Sequence, residues 1–149
     1  MAQKSAIAIG AHPDDIEFCM AGTLLQLRAA GWEIHYFNVS SGNLGSVTMT
    51  SARTVRTRAK EARTAARILK ARYHASICRD LEIMFDVHAL RKVTGIIRKS
   101  RASIVLTHSP VDYMEDHTNT CRLVVTAAFA HGMPNFETSP ATRPYGHDV

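Results

Sequence analysis

Apolar and polar residues alternate along this chain in blocks. Ala6-Ile7-Ala8-Ile9-Gly10-Ala11 is an unbroken apolar run, the pattern of a short strand buried on both faces in a parallel sheet. His12-Pro13-Asp14-Asp15 interrupts it, and Ile16 to Ala30 then carries helical spacing up to Gly31, a residue suited to ending a helix. Glu33 to Val39 predicts a second strand, Ser40 to Ser46 a loop, and Arg53 to Ala71 a basic helix with the apolar stripe Val55, Ala59, Ala62, Ala66, Leu69. Tyr73 to Phe85 reads as one or two short strands. Val87 to Ser100 has helical spacing at Leu90, Val93 and Ile97, and Ser103 to Thr107 is a further buried strand. After a loop from His108 to Asp116, the segment His117 to Ala130 returns to helix.

This alternation predicts an α/β, Rossmann-like three-layer fold with a mainly parallel sheet. No internal repeat or low-complexity tract divides residues 1–149, which read as a single domain. Gly132 to Val149 contains Pro134, Pro140 and Pro144 and predicts no regular element. The sheet is therefore expected to lack a closing strand, as in a domain truncated at its C-terminus, a natural short form, or one completed by a partner.

Composition narrows the class. The chain has 149 residues, 46% of them apolar and 21% charged, the balance of a soluble globular domain. A domain of this size buries roughly two-thirds of its unfolded surface and needs no disulfide framework. Cys19, Cys78 and Cys121 are odd in number and widely spaced, and the start of the chain has no secretory-leader pattern, so a reducing, cytoplasmic setting is expected. The apolar runs are too short for a membrane span. A net charge of +5 invites a nucleic-acid reading. Eight basic residues fall between Arg53 and Arg72, however, and most form the solvated face of the amphipathic helix. No nucleic-acid partner is expected.

In an open α/β sheet, ligands gather outside the carboxyl ends of the strands where the strand order reverses. Two polar clusters sit there: His12-Pro13-Asp14-Asp15 after the first strand, and His108 to His117 after the strand at Ser103. His12 and Asp15, three apart on one turn, and a remote His117 would make two imidazoles and a carboxylate with one position left open, a donor set that favours zinc and also accepts other first-row divalent metals. Asp14 would then stand beside the metal as a general base. The rival reading is structural, because Asp14-x-x-Glu17 is an acidic variant of a helix capping box. Capping accounts for the acids but not for His12 or for Asp116-His117. His108 reads as a loop or supporting residue. His35, His74, His88 and His131 have no acidic partner at useful spacing and read as surface or packing residues. Cys19 and Cys121 look like small apolar core residues.

Ala11-His12-Pro13-Asp14-Asp15-Ile16-Glu17 after a buried strand, the Arg58-x-x-Glu61-Ala62 helix and Asp112-Tyr113-Met114-Glu115-Asp116-His117 resemble the PIG-L/LmbE-like family of zinc-dependent N-deacetylases. The resemblance runs from Ala6 to about Asn135. It implies that His12, Asp15 and His117 bind Zn2+, that Asp14 is the general base and that Arg58 contacts substrate. It also implies removal of an acetyl or related acyl group from an amino sugar, most often an N-acetylglucosamine unit. The expected partner is thus a small N-acetylated, sugar-like molecule, with homo-oligomer formation left open. Two departures stand out. Many members carry a histidine where this chain has Met114, a thioether that cannot donate a proton, and the family domain usually continues further, with segments that help form the pocket. They motivate an alternative, a metal-binding homologue with little turnover that acts as a binding or regulatory protein. A nucleotide-binding domain is a weaker rival, since no glycine-rich phosphate motif follows any strand.

Overall fold

A computed structural model describes residues 4–146. Four strands, β1 (Ser5–Gly10), β2 (Glu33–Asn38), β3 (Arg72–His74) and β4 (Ile104–Leu106), form one all-parallel sheet in the order β3-β2-β1-β4. The apolar run at the start of the chain is β1, and it is central and buried along its whole length. Two crossovers carry the chain outward through β2 to β3, and the next strand, β4, returns to the other side of β1. The reversal of strand order therefore falls between β1 and β4, at the ends of which both polar clusters lie.

Helices cover both faces, which is the three-layer arrangement expected from the alternation. On one face α1 (Asp15–Cys19), α2 (Ala21–Ala29) and α3 (Ser51–Ile68) pack over Ala6, Ala8, Ile34 and Tyr36. On the other, α4 (Val87–Ser100) and α5 (Glu115–Ala130) pack over Ile7, Ile9, Phe37 and Val39. Each strand's alternate residues thus feed two separate apolar clusters, which is why β1 and β2 show no polar face. The boundaries of α4 match the sequence reading, with the Asp86 carboxylate capping the Ala89 N–H at 2.8 Å. Among residues 131–146 there is no helix or strand.

Three expectations change. The predicted helix from Ile16 to Ala30 is broken at Met20, where φ is −126°, although the Met20 side chain stays buried. The resulting stripe Ile16, Met20, Leu24 faces the sheet and turns Cys19 outward, so Cys19 is exposed and not a core residue; Cys121 is buried as expected. The buried face of α3 also differs, running Thr54, Ala62, Ala66, with Val55 and Ala59 only half-buried. Arg58, one helical repeat from both Thr54 and Ala62, lies on that inward face rather than among the solvated charges.

His35 and His74 are buried side by side between β2 and β3, His35 Nδ1 lying 2.8 Å from His74 Nε2. Contrary to the sequence reading, His35 has an acidic neighbour, since Glu33 Oε1 is 3.3 Å from its Nε2. The period of two along a strand puts both residues on one face. Burial, reinforced by the His35, Lys99 and Arg72 charges, lowers the His74 pKa from 6.5 to about 4. A depressed histidine pKa means that the unfolded chain takes up this proton first. Stability should therefore be full above pH 6.5, fall as the pH drops towards 4 and level off below it. Chemical denaturation at stepped pH should show this loss, of roughly 3 kcal/mol at most, and His74→Gln should flatten it.

Candidate metal centre

The turn after β1 is folded tightly back on the sheet. A Cβ at Gly10 would meet Asp15 Cβ at 3.0 Å and Asn38 Oδ1 at 3.2 Å, so the chain needs glycine there. Asp15 Oδ2 accepts the His12 N–H at 2.7 Å and closes the turn. Asp14 is held at φ 133°, a backbone conformation that L-residues rarely adopt and that persists where surrounding structure enforces it. Its side chain caps no helical N–H. It pairs instead with Arg58 Nη2 at 2.5 Å, and the same guanidinium donates to Pro13 O and, through Nη1, to Glu61 at 2.9 Å. Glu17 does not complete a capping box either, since its carboxylate accepts the Tyr36 hydroxyl at 2.9 Å. The capping reading of Asp14 and Glu17 is thereby overturned.

Parallel pairing of β1 with β4 brings the second cluster alongside the first. His12 Nδ1 lies 3.6 Å from Asp15 Oδ2, and His117 Nε2 lies 3.5 Å from Asp15 Oδ1. Donor atoms of these three residues all fall within 4.8 Å of one another. With metal–ligand bonds near 2.0–2.1 Å, a tetrahedral zinc site sets neighbouring donors about 3.3 Å apart, so donors within 4.8 Å of one another are near enough for an ion to draw them together. The outward ring nitrogens are occupied. His12 Nε2–H donates to Asp116 Oδ2 at 2.9 Å, and His117 Nδ1–H donates to Asp112 Oδ1 at 3.1 Å. A carboxylate behind each imidazole orients the ring, the arrangement usual for metal-binding histidines.

The electrostatics follow from this crowding. Burial works to lower the His12 pKa, but Asp15 and Asp116 outweigh it and raise it to about 9. Burial opposes ionisation of Asp15, and its contacts with His108 and His12 overcome that, holding the carboxyl well below its usual range.

Several participants were not legible from spacing. His108 lies inside the cluster, its Nε2 accepting the Ala11 N–H at 2.9 Å, standing 3.2 Å from Asp15 Oδ2, and its ring stacking on His117 at 4.1 Å. With Asp112 and His117 it forms a second group of closely spaced donors. Asp80 accepts Ser40 Oγ, the Gly42 N–H and the Leu44 N–H at 2.7–2.9 Å, so it pins the loop after β2 against the site. Gly42, at φ +71°, could not carry a Cβ without pressing within 3.1 Å of Pro13. The next residue after Asp80, Leu81, donates its N–H to Asp116 at 2.8 Å. The segment after β3 therefore holds both the loop and the carboxylate behind His12. Above the cluster opens a cleft of about 390 Å³, whose lining includes Asp14, Arg58, Tyr113 and Met114. No helix among the described residues is long and apolar enough to cross a membrane.

Known proteins share this arrangement of chain. The family model described as "PIG-L: GlcNAc-PI de-N-acetylase" matches residues 7–128. A 4-oxalmesaconate hydratase of Pseudomonas putida is 29% identical over 123 residues, covering 77% of this chain and 48% of that protein. The crystal structure of the 4-carboxy-2-hydroxymuconate hydratase from Pseudomonas putida KT2440 superposes with a TM-score of 0.85 at 25% identity, over 97% of this chain and 63% of that one. The N,N'-diacetylchitobiose deacetylase of Pyrococcus horikoshii, at 24% identity, shares the fold with a TM-score of 0.87, over 99% of this chain and 59% of that one. The chain thus spans about half the length of the curated relative and about three-fifths of the two structures. The family match runs from β1 through most of α5, across the switch point between β1 and β4, and the chain belongs to the PIG-L family.

Proposed function

We propose that this chain is one PIG-L-type domain acting as a zinc-dependent hydrolase that removes an acyl group, such as acetyl, from an N-acylated amino sugar or a related small molecule. One observation carries the reading. The inward nitrogens of His12 and His117 converge on the Asp15 carboxylate while Asp116 and Asp112 occupy the outward nitrogens. Two imidazoles and a carboxylate whose donor atoms lie within 4.8 Å of one another, each imidazole backed by a carboxylate of its own, are the donor set and the outer support of a zinc site with one open position. Zn2+, or another first-row divalent ion, bound to His12, Asp15 and His117 supplies Lewis-acid stabilisation of the charge that develops on the amide oxygen.

The chain's own groups do the rest. Asp14, half-exposed at the cleft and outside the ligand cluster, takes the proton of the attacking water and returns it to the departing amine. Arg58 orients the Asp14 carboxylate and presents a cation to the substrate. Met114 leaves the proton traffic to Asp14. The three cysteines are free, which accords with a reducing, cytoplasmic setting.

Similarity to Pseudomonas putida hydratase, by sequence and by structure, favours a second reading, in which the same groups direct water onto an activated carbon–carbon double bond. Product analysis separates the two. Zinc-loaded protein should release primary amine from N-acyl amines at a rate that chelation abolishes. Amine release indistinguishable from buffer, together with zinc-dependent loss of the absorbance of a conjugated unsaturated acid, would replace hydrolysis by hydration.

A further inference from the structure

Most of the charged groups lining the cleft are already engaged. His12, Asp15 and His117 form the metal cluster, Asp80 accepts from one hydroxyl and two backbone N–H groups, and Asp14 and Arg58 bind each other. The lining contains no Ser, Thr, Asn or Gln. What remains beside the cluster is Gly42, Gly45, the apolar Pro13, Leu44, Leu81 and Met114, and the ring of Tyr113 with its hydroxyl. Three of these are strongly exposed, Leu44 at 55%, Leu81 at 64% and Tyr113 at 88%. Large exposed apolar side chains gathered around one concavity mark a binding surface.

Leu81 is the most telling. It sits at φ +64°, a left-handed conformation unfavourable for a branched side chain, and its backbone is held there by the bond to Asp116. The turn that supports the metal cluster thereby also presents a leucine to the cleft, where nothing in the core repays the strain. A hydroxyl-rich sugar ring against this wall would lose hydrogen bonds to water without replacing them.

We infer that the site, given the hydrolase reading above on which this rests, selects substrates bearing an apolar group next to the scissile amide in preference to an N-acetyl group on a bare sugar. Leu44, Leu81 and Tyr113 supply the contact, and Leu81 is the specificity-determining residue. The acyl side and the amine side of the bond are the two places such a group can occupy.

Hydroxamates, which chelate zinc, test this by binding alone. Calorimetry on the zinc-loaded protein would compare acetohydroxamate with straight-chain hydroxamates of increasing length, which extend the acyl side, and with N-alkyl acetohydroxamates, which extend the amine side. One series should gain about four-fold in affinity per methylene over its first members. Leu81→Asn is the matching variant, because asparagine tolerates a left-handed backbone. It should flatten that gain, read as each member's affinity relative to acetohydroxamate in the same protein, whereas a merely structural role of Leu81 would shift every member alike and leave the gain per methylene intact. Affinity that depends on zinc but is level across both series, or a gain untouched by Leu81→Asn, would overturn the inference. Hydroxamate binding indifferent to zinc would instead bring down the hydrolase reading, and the inference with it.

Discussion

Asp14→Asn should keep the fold and the metal and lose about 10² to 10⁴ in amide hydrolysis, the span typical of a missing general base. Its expected stability cost is small for two reasons. Asp14 makes no helix-capping bond, and its pairing with Arg58 is half-exposed, a setting in which ion pairs contribute little. Asparagine also accepts a positive φ more readily than most residues, so the strained backbone at 133° is not made worse. Melting by circular dichroism, zinc content and turnover measured on one preparation check the three parts. Turnover equal to wild type would remove Asp14 from the mechanism, and loss of zinc would make it a ligand.

His117→Ala should weaken zinc binding by more than about 100-fold, since it removes one of three protein donors. The alanine variant also forfeits the Asp112 bond and the stack on His108, so some stability goes with it. Asp112→Asn separates these effects. It leaves His117 in place and changes the acceptor behind the ring, whose Oδ1 also accepts the Met114 N–H, so its zinc affinity should fall by about 10- to 100-fold with the fold intact. Competition with a chelating dye of known affinity measures both. An unchanged affinity in His117→Ala would place the ion elsewhere.

How much of this was legible in the sequence depended on whether the signal was local. β1 announced itself as an apolar run because it is buried on both faces, and α4 because its spacing and its Asp86 cap both lie within it. His12, Asp14 and Asp15 were visible as a polar turn after a buried strand, and His117 as its counterpart after β4. The break at Met20 carries no proline or glycine at the break itself, so the helical spacing ran through it. The inward placement of Arg58 was hidden because its helix is crowded with arginines that do face solvent, and only packing against the sheet distinguishes one of them. Asp80, His108 and Asp116 owe their roles to tertiary contacts. Asp80 touches a loop 36 to 40 positions earlier, and His108 reaches Ala11 across 97 positions, separations that no spacing rule connects.

The central claim is that His12, Asp15 and His117 form one metal centre, and equilibrium dialysis against zinc tests it most directly. Protein stripped with chelator should take up one tightly held zinc per chain, and Asp15→Ala, which removes the carboxylate common to both imidazole contacts, should take up none under the same conditions while still folded. Wild-type protein that binds no zinc, or an Asp15→Ala variant that binds it as well as wild type does, would contradict the account.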